Sequence, residues 1–415
     1  MPNVLFVHNG APGRFAFLAA ALRERGWTGA LINGPTGTDL EGMASIRWRP
    51  SGPQQGSPRR LVRQAESQLV AGAGGAEAAM ELRRNGFLPD LIVGHPSWGE
   101  MLFLREVFPD TPQIQVGEFY YRTQGANFNF DPEFSAPSLE AAMVQQAGNA
   151  AFALSFAQAT RIVAPTPYQA STYPGVFQPL IRVVHEGVDT QAARPFPQTQ
   201  LTLRDGTILD RSTPVITFIN RRFEPLRGFH VFMRALPRFL SEVPDAHVLM
   251  VGADDPDTYG RPPPEGSWKQ RLLGEVGDRL DPARVHWVGP LPYEQLLYVF
   301  AASWAHVYLT YPFALSWSLL DAMACGCLII GSDTAPVRDV VRHEENGLLV
   351  PFFDVDALAA QLAEACRKPE RFRRLRDNAR ATAVAEYDRA TVCLPKWLDV
   401  VDEVLAEQPP LKGHK

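Results

Sequence analysis

A chain of 415 residues with 46% hydrophobic and 20% charged side chains exceeds what one hydrophobic core usually serves, so two packed domains of roughly 200 residues each are expected. A net charge of −5 and a pI near 6.0 give no global basic field, which argues against nucleic acid as a partner. The four cysteines, Cys325, Cys327, Cys366 and Cys393, are too scattered for a disulfide framework and suit a reducing compartment; no second ligand pair at zinc spacing accompanies Cys325 and Cys327.

The chain enters a strand-like run at Val4–Val7 without the basic flank and apolar stretch of an export signal, so a cytoplasmic location is expected. The longest apolar segment, near 319–331, is broken by Asp321, Gly326 and Gly331 and falls short of the ~18 residues of a spanning helix. Further β-rich runs at 30–33, 91–95, 114–119, 161–165 and 182–186 are spaced for crossover helices, a parallel α/β pattern. After a polar, Pro-containing stretch, a second series follows at 215–220, 247–252, 285–289, 306–311 and 328–331. Runs such as VLMVG and LIIGS are apolar throughout, as strands buried on both faces are. Two doubly wound domains are predicted, with ligands at strand C-terminal ends in the crevice between them. Val392, Leu394, Trp397, Leu398, Val401 and Leu405 predict an amphipathic C-terminal helix whose target the sequence does not name.

Several strand ends carry residues suited to chemistry. Gly10 and Gly13, in the loop Asn9–Arg14, would let backbone approach a ligand or simply make a turn. Arg59, Arg60, Arg63, Arg83 and Arg84 form either a solvated cluster or a basic face toward anionic lipid, the latter giving peripheral contact at the inner membrane face. His95, in a Gly/Pro-rich loop, can orient a hydroxyl or serve structure alone. Tyr120 opens an aromatic, amide-rich stretch (120–134) that suits sugar faces or a packed surface loop. Arg222 and Arg227, five residues apart at a strand-to-helix turn, can converge on one anion, and a diphosphate is the natural guest for guanidinium forks near a helix N-terminus. Downstream, Tyr311–Gly326 joins a strand to a helix that Ser316 or Ser318 can cap and Gly326 can end. Asp321, one turn inside, can accept from vicinal hydroxyls or favour the helix dipole. Asp254, Asp255 and Asp257 mimic a metal-holding Asp-x-Asp but suit a loop. No strand is followed by Gly-x-Gly-x-x-Gly and no Gly-x-Ser-x-Gly occurs, which disfavours hydride transfer and serine hydrolysis.

The order of these motifs resembles glycosyltransferase family 4, with its Arg-x4-Lys-Gly turn, E-x7-E segment, G-x-P-V-I-x-S-D and GLLV strand. The counterparts are Arg222-x4-Arg227-Gly228, Phe313-x7-Asp321, Gly326–Asp333 and Asn346–Val350, while Val184–Asp189 is similar to the family's H-N-G-V-D. The resemblance implies a GT-B fold of two Rossmann-like domains facing each other across a cleft: an acceptor domain 1–190, joined by the C-terminal helix 388–415, a linker 191–213, and a nucleotide-sugar domain 214–387. It also implies transfer of a hexosyl or deoxyhexosyl group from a UDP-, GDP- or dTDP-linked sugar to a glycan or glycolipid, with retention of configuration and without a metal or other cofactor. Surface-polysaccharide or glycoconjugate synthesis follows by analogy of fold. By position, Arg222 and Arg227 would hold the diphosphate, and Asp321 the ribose. Backbone groups of Ala314, Leu315, Ser316, Trp317 and Ser318 would contact sugar and phosphate. Glu118 aligns where the family often has a histidine beside the reacting sugar, or it pairs structurally with Arg122. Two departures stand out: Arg227 replaces the lysine, in a chain with 35 Arg and 5 Lys, and Phe313 replaces the first acid, which in the family contacts hydroxyls of the transferred sugar. A catalytically silent sugar-nucleotide-binding partner and an epimerase of the same fold are the competing readings.

Overall fold

The computed structural model describes residues 1–10, 13–50, 59–196, 199–255 and 262–407, which form two compact units, Met1–Glu186 with Cys393–Lys415, and Gly187–Val392. The first holds seven parallel strands: β1 (Asn3–His8), β2 (Thr28–Asn33), β3 (Ala44–Arg47), β4 (Leu91–Gly94), β5 (Gln113–Val116), β6 (Arg161–Ala164) and β7 (Ile181–Val183), in the order β3-β2-β1-β4-β5-β6-β7. Val4 to Val7 are all fully buried, and alternate residues serve opposite faces. Val4 and Phe6 join a core with Leu18 and Leu22, while Leu5 and Val7 join another with Ala78, Ala79 and Leu104. This is why the run is apolar without alternation. The edge strand β3 is mostly exposed and carries no apolar signature, so the sequence reading passes over it.

The helix Leu394–Ala406 buries Trp397, Val400, Val401 and Val404 against Val4, Phe6, Phe15 and Leu18. Its target is therefore the sheet of the first unit. The Trp397 indole N–H donates to His185 O at 3.3 Å, and Glu403 accepts from Arg161 at 2.9 Å and from Arg182. The helix starts later than its apolar pattern because 389–393 coil into a wider π turn. Residues 408–415 of the expected tail lie outside the described residues.

The second unit begins with an antiparallel hairpin, β8 (Gln200–Thr202) and β9 (Ile208–Asp210), inside the stretch expected to be linker. Asp205-Gly206 makes its turn: Asp205 Oδ1 accepts from Thr207 N at 2.9 Å, and Gly206 has φ +87°. Leu209 is buried in the unit's core, so the stretch is structure rather than tether. Six parallel strands follow: β10 (Val215–Arg222), β11 (His247–Ala253), β12 (Val285–Trp287), β13 (Ala305–Tyr308), β14 (Leu328–Ser332) and β15 (Leu348–Val350), in the order β12-β11-β10-β13-β14-β15. Strand order reverses between β1 and β4 in one unit and between β10 and β13 in the other, and crevices for ligands form at such reversals. Among the described residues no helix is long and apolar enough to cross a membrane.

Trp397→Ala should destabilise the first unit by about 3–5 kcal/mol, the range for emptying a buried aromatic site. Urea denaturation followed by circular dichroism measures it. A shift within error would show that the C-terminal helix contributes little to this core.

Candidate functional site

At the β10/β13 reversal, β10 ends in the arginine turn. Gly228 has φ +70°, and a Cβ there would lie 2.3 Å from Leu309 Cβ, so both conformation and space require glycine. The turn thereby packs directly on the loop after β13 and starts the helix Phe229–Glu242 with no side-chain cap. Arg227 Nη1 donates to Thr310 Oγ1 and to Ala314 O, both at 3.0 Å, and its guanidinium lies 5.7 Å from the centre of the Phe313 ring. Arg222 turns instead to the loop after β11, where Nε donates to both carboxylate oxygens of Asp255 at 2.8 and 3.0 Å. The two cations of one turn are thus steadied by different neighbours. Thr310 is itself fixed by β14, since its N–H donates to Ser332 Oγ at 3.1 Å and its carbonyl accepts from Thr334 Oγ1 at the same distance.

The helix after β13 runs Trp317–Ala324. Ser316 holds the N-cap position in extended conformation, yet its side chain makes no capping bond; its hydroxyl lies 3.2 Å from that of Ser318, and its N–H donates to the Tyr308 hydroxyl at 2.6 Å. The expected serine cap is therefore absent. Gly326, at φ +79°, ends the helix as anticipated: its N–H bonds Met323 O and that of Cys327 bonds Ala322 O, each at 3.0 Å. Ala314, Leu315 and Ser318 are buried, whereas Trp317 is exposed. Asp321 is buried and accepts at Oδ1 from the Tyr293 hydroxyl at 2.8 Å. Burial pushes its pKa up to about 6, against the opposing pull of Tyr293 and Arg389. Asp254 lies 4.0 Å from Lys269, and Asp255 pairs with Arg222; Asp257 lies outside the described residues.

At the β1/β4 reversal of the first unit, residues far apart in sequence meet. Arg14 donates to Glu118 Oε1 at 2.9 Å and to Glu186 Oε1, while Glu118 Oε2 lies 3.4 Å from His95 Nε2. Glu118 thus pairs with Arg14, 104 positions away, and not with Arg122, which donates to Ser171 O at 3.5 Å. The Glu118 side chain keeps 37% of its surface, against 13% for Arg14 and 5% for Glu186. Burial alone would raise the Glu118 pKa, but the Arg14 guanidinium and His95 hold the carboxyl well below the usual range. Burial, with His95 and Arg14 beside it, takes His8 down to about 3, and burial lowers His95 against the pull of Glu118. At neutral pH the cluster is a charged arginine, an ionised Glu118 and two neutral imidazoles. Gly10 donates to His8 Nδ1 at 3.1 Å, and a Cβ at Gly10 or Gly13 would meet nothing within 4 Å, so both face open space; Ala11 and Pro12 lie outside the described residues. Tyr120 packs 5.6 Å from Tyr173 beside a cavity of about 330 Å³ that Arg122, Gln124, Gln146 and Thr172 also line.

Residues 202–382 match the family described as glycosyl transferases group 1, and residues 25–193 match the glycosyl transferase family 4 group. The chain belongs to glycosyltransferase family 4. It is 29% identical over 166 residues to the phosphatidyl-myo-inositol mannosyltransferase of Mycolicibacterium smegmatis, a match covering 38% of each chain, so it spans well under half the length of that curated relative. Sucrose-phosphate synthase from Thermosynechococcus elongatus superposes with a TM-score of 0.74 at 19% identity, over 98% of this chain and all of that one. Anabaena HepE, solved with UDP and glucose, gives 0.69 at 16% identity over 97% of this chain and all of the other. These likenesses establish the GT-B fold for the family 4 chain. Arg222, Arg227 and Asp321 fall inside one matched stretch and His95 and Glu118 inside the other, whereas His8, Gly10, Gly13 and Arg14 precede both.

Arg14→Met should cost about 3–5 kcal/mol, because it leaves Glu186 buried without its cation. Adding Glu186→Gln should recover much of that loss. Equal denaturation midpoints for wild type and Arg14→Met would mean that the cluster is not held by this ion pair.

Proposed function

We propose that this chain is a glycosyltransferase that moves a sugar from a nucleotide-diphosphate sugar to a glycan or glycolipid acceptor in polysaccharide or glycoconjugate synthesis. The observation that carries the reading is the arginine turn at the β10/β13 reversal, beside a helix with a carboxylate one turn inside. The donor's diphosphate would take Arg222 and Arg227. Arg222 then exchanges one anion, Asp255, for another, and Arg227 already stands poised by Thr310 and Ala314. Charge developing on the leaving diphosphate would be stabilised by these fixed cations and the helix starts, with no metal in the step. Backbone from Ala314 to Ser318 would contact phosphate and sugar, and Asp321 would accept from the ribose hydroxyls. The bound UDP and glucose of the HepE structure support a nucleotide-sugar donor. Phe313 offers no acceptor to a sugar hydroxyl, which favours a deoxy sugar or recognition by other groups. Retention of configuration rests on the family likeness.

Glu118, His95 and Tyr120 would serve the acceptor. A carboxylate held below its usual range accepts a hydrogen bond from a hydroxyl more readily than it takes the proton, so Glu118 orients rather than acts as a strong base. The helix Arg60–Arg84 exposes Leu61, Val62 and Leu69 beside Arg60 and Arg63, a face that supports contact with anionic lipid where a glycolipid would lie. Phe313 also keeps a second reading, a silent nucleotide-sugar binder, in play.

Among UDP, GDP and dTDP, the nucleotide that raises the melting temperature most identifies the base. With it, and with EDTA present, Arg222→Ala and Arg227→Ala should each weaken calorimetric affinity by about 1.5–3 kcal/mol. Unchanged affinity in both variants, with native circular dichroism, overturns the clamp. Binding without transfer to any glycan or glycolipid acceptor would favour the silent reading.

Asp321→Asn supplies the pH test. The ionised carboxylate offers the acceptors that ribose hydroxyls need, and in the free protein it is protonated as pH falls through about 6. The affinity gap between wild type and variant should be about 1–3 kcal/mol at pH 8 and narrow below pH 6. A gap that is absent, or independent of pH, removes Asp321 from ribose recognition.

A further inference from the structure

We infer that the Gly187–Val392 unit carries a second anion site, for a small phosphorylated ligand, on the edge of its sheet opposite the arginine turn. A cavity of about 720 Å³ is lined by Arg211, Arg373, Arg376 and Arg380 together with Pro195 and Gly326. Its place in the fold follows from the strands. Arg211 lies just before β10 begins and Gly326 just before β14, so the cavity is at the strand N-terminal edge, whereas Arg222, Thr310 and Ser332 mark the C-terminal edge. The helix Trp317–Ala324, about 12 Å long at 1.5 Å per residue, separates the two, with Ser316 before its start and Gly326 beyond its end.

Among the described residues no carboxylate lies within ion-pair distance of Arg211, Arg376 or Arg380, and Arg373 reaches Glu370 only at 4.0 Å. Arg376 donates to Pro369 O at 3.0 Å, and Arg380 donates to Ala193 O at 3.0 Å, to Thr190 O at 3.2 Å and to Ala324 O. These neutral carbonyls orient the guanidinium groups without cancelling their charge. Both cations are partly buried, and burial lowers the pKa of each; at Arg376 Glu370 and Asp377 pull the other way, and Arg211 adds repulsion. Glu370 and Asp377 sit exposed at the rim and leave two positive charges in excess over the four arginines. Partial burial of Arg376 and Arg380 amid this surplus of positive charge is offset when an anion completes the set. The volume is that of a small-molecule site, and forks from Arg211 and from three turns of one helix suit the several oxygens of a phosphate better than the two of a carboxylate. The proposal does not depend on glycosyl transfer.

Calorimetry with inorganic pyrophosphate tests it. Wild type should show a class of binding that survives Arg222→Ala with Arg227→Ala and weakens about tenfold or more in Arg211→Gln with Arg373→Gln, two exposed positions that leave the Arg380 bonds intact. The Arg222 and Arg227 variant reads the donor clamp alone, so each site fails or stands by itself. An isotherm unchanged by the Arg211 and Arg373 substitutions overturns the site. Citrate binding as tightly as pyrophosphate at equal ionic strength overturns the phosphate assignment.

Discussion

A parallel sheet with helices on both faces offers polar chemistry mainly at its strand ends, because its central strands are buried on both faces. Both units obey this constraint. Val4 to Val7 and Val248 to Met250 are buried outright, and polar groups appear just beyond such runs: His8 after Val7, His95 after Gly94, Arg222 at the end of β10. Reversal of strand order then selects which ends have room beside them. The Gly228 turn shows how closely the two sides of a reversal meet, since a single methyl group there would collide with Leu309 from the neighbouring loop.

Charge at these ends is regulated by what the fold places around it. In the first unit Arg14 serves two glutamates, and its guanidinium together with His95 outweighs the burial of Glu118, while burial leaves His8 and His95 neutral. In the second unit desolvation wins instead at Asp321, whose nearest donor, Tyr293, is neutral and can only partly offset it.

What could be read in the sequence was local. The Arg222-x4-Arg227-Gly228 turn and the Gly326 stop each span only a few residues, and their geometry follows from backbone preferences that short motifs encode. Apolar runs gave most strands. The partners were hidden wherever chain separation was large: Glu118 with Arg14, Arg222 with Asp255, Asp321 with Tyr293, Trp397 with the first sheet. Short edge strands such as β3 lack an apolar signature, and the hairpin at β8 and β9 was masked by polar composition although Asp205-Gly206 marks its turn. Ser316 shows the reverse case, a residue with the right identity at the right place whose hydroxyl is committed elsewhere.

Phe313 is one of two points at which the chain leaves its family's pattern, and its contact explains how the turn tolerates the change. An acid at that position, this close to Arg227, would pair with the guanidinium and cancel much of its charge. The aromatic face attracts the same cation through its quadrupole and leaves the net charge intact. Thr310 Oγ1 and Ala314 O, both neutral acceptors, fix the direction of one Nη1. Arg227 is thus oriented by three uncharged groups, whereas Arg222 is oriented by the carboxylate of Asp255. Among the described residues the turn presents one cation paired with a carboxylate and one that is not, so an arriving anion would gain most at Arg227, where it displaces no described carboxylate.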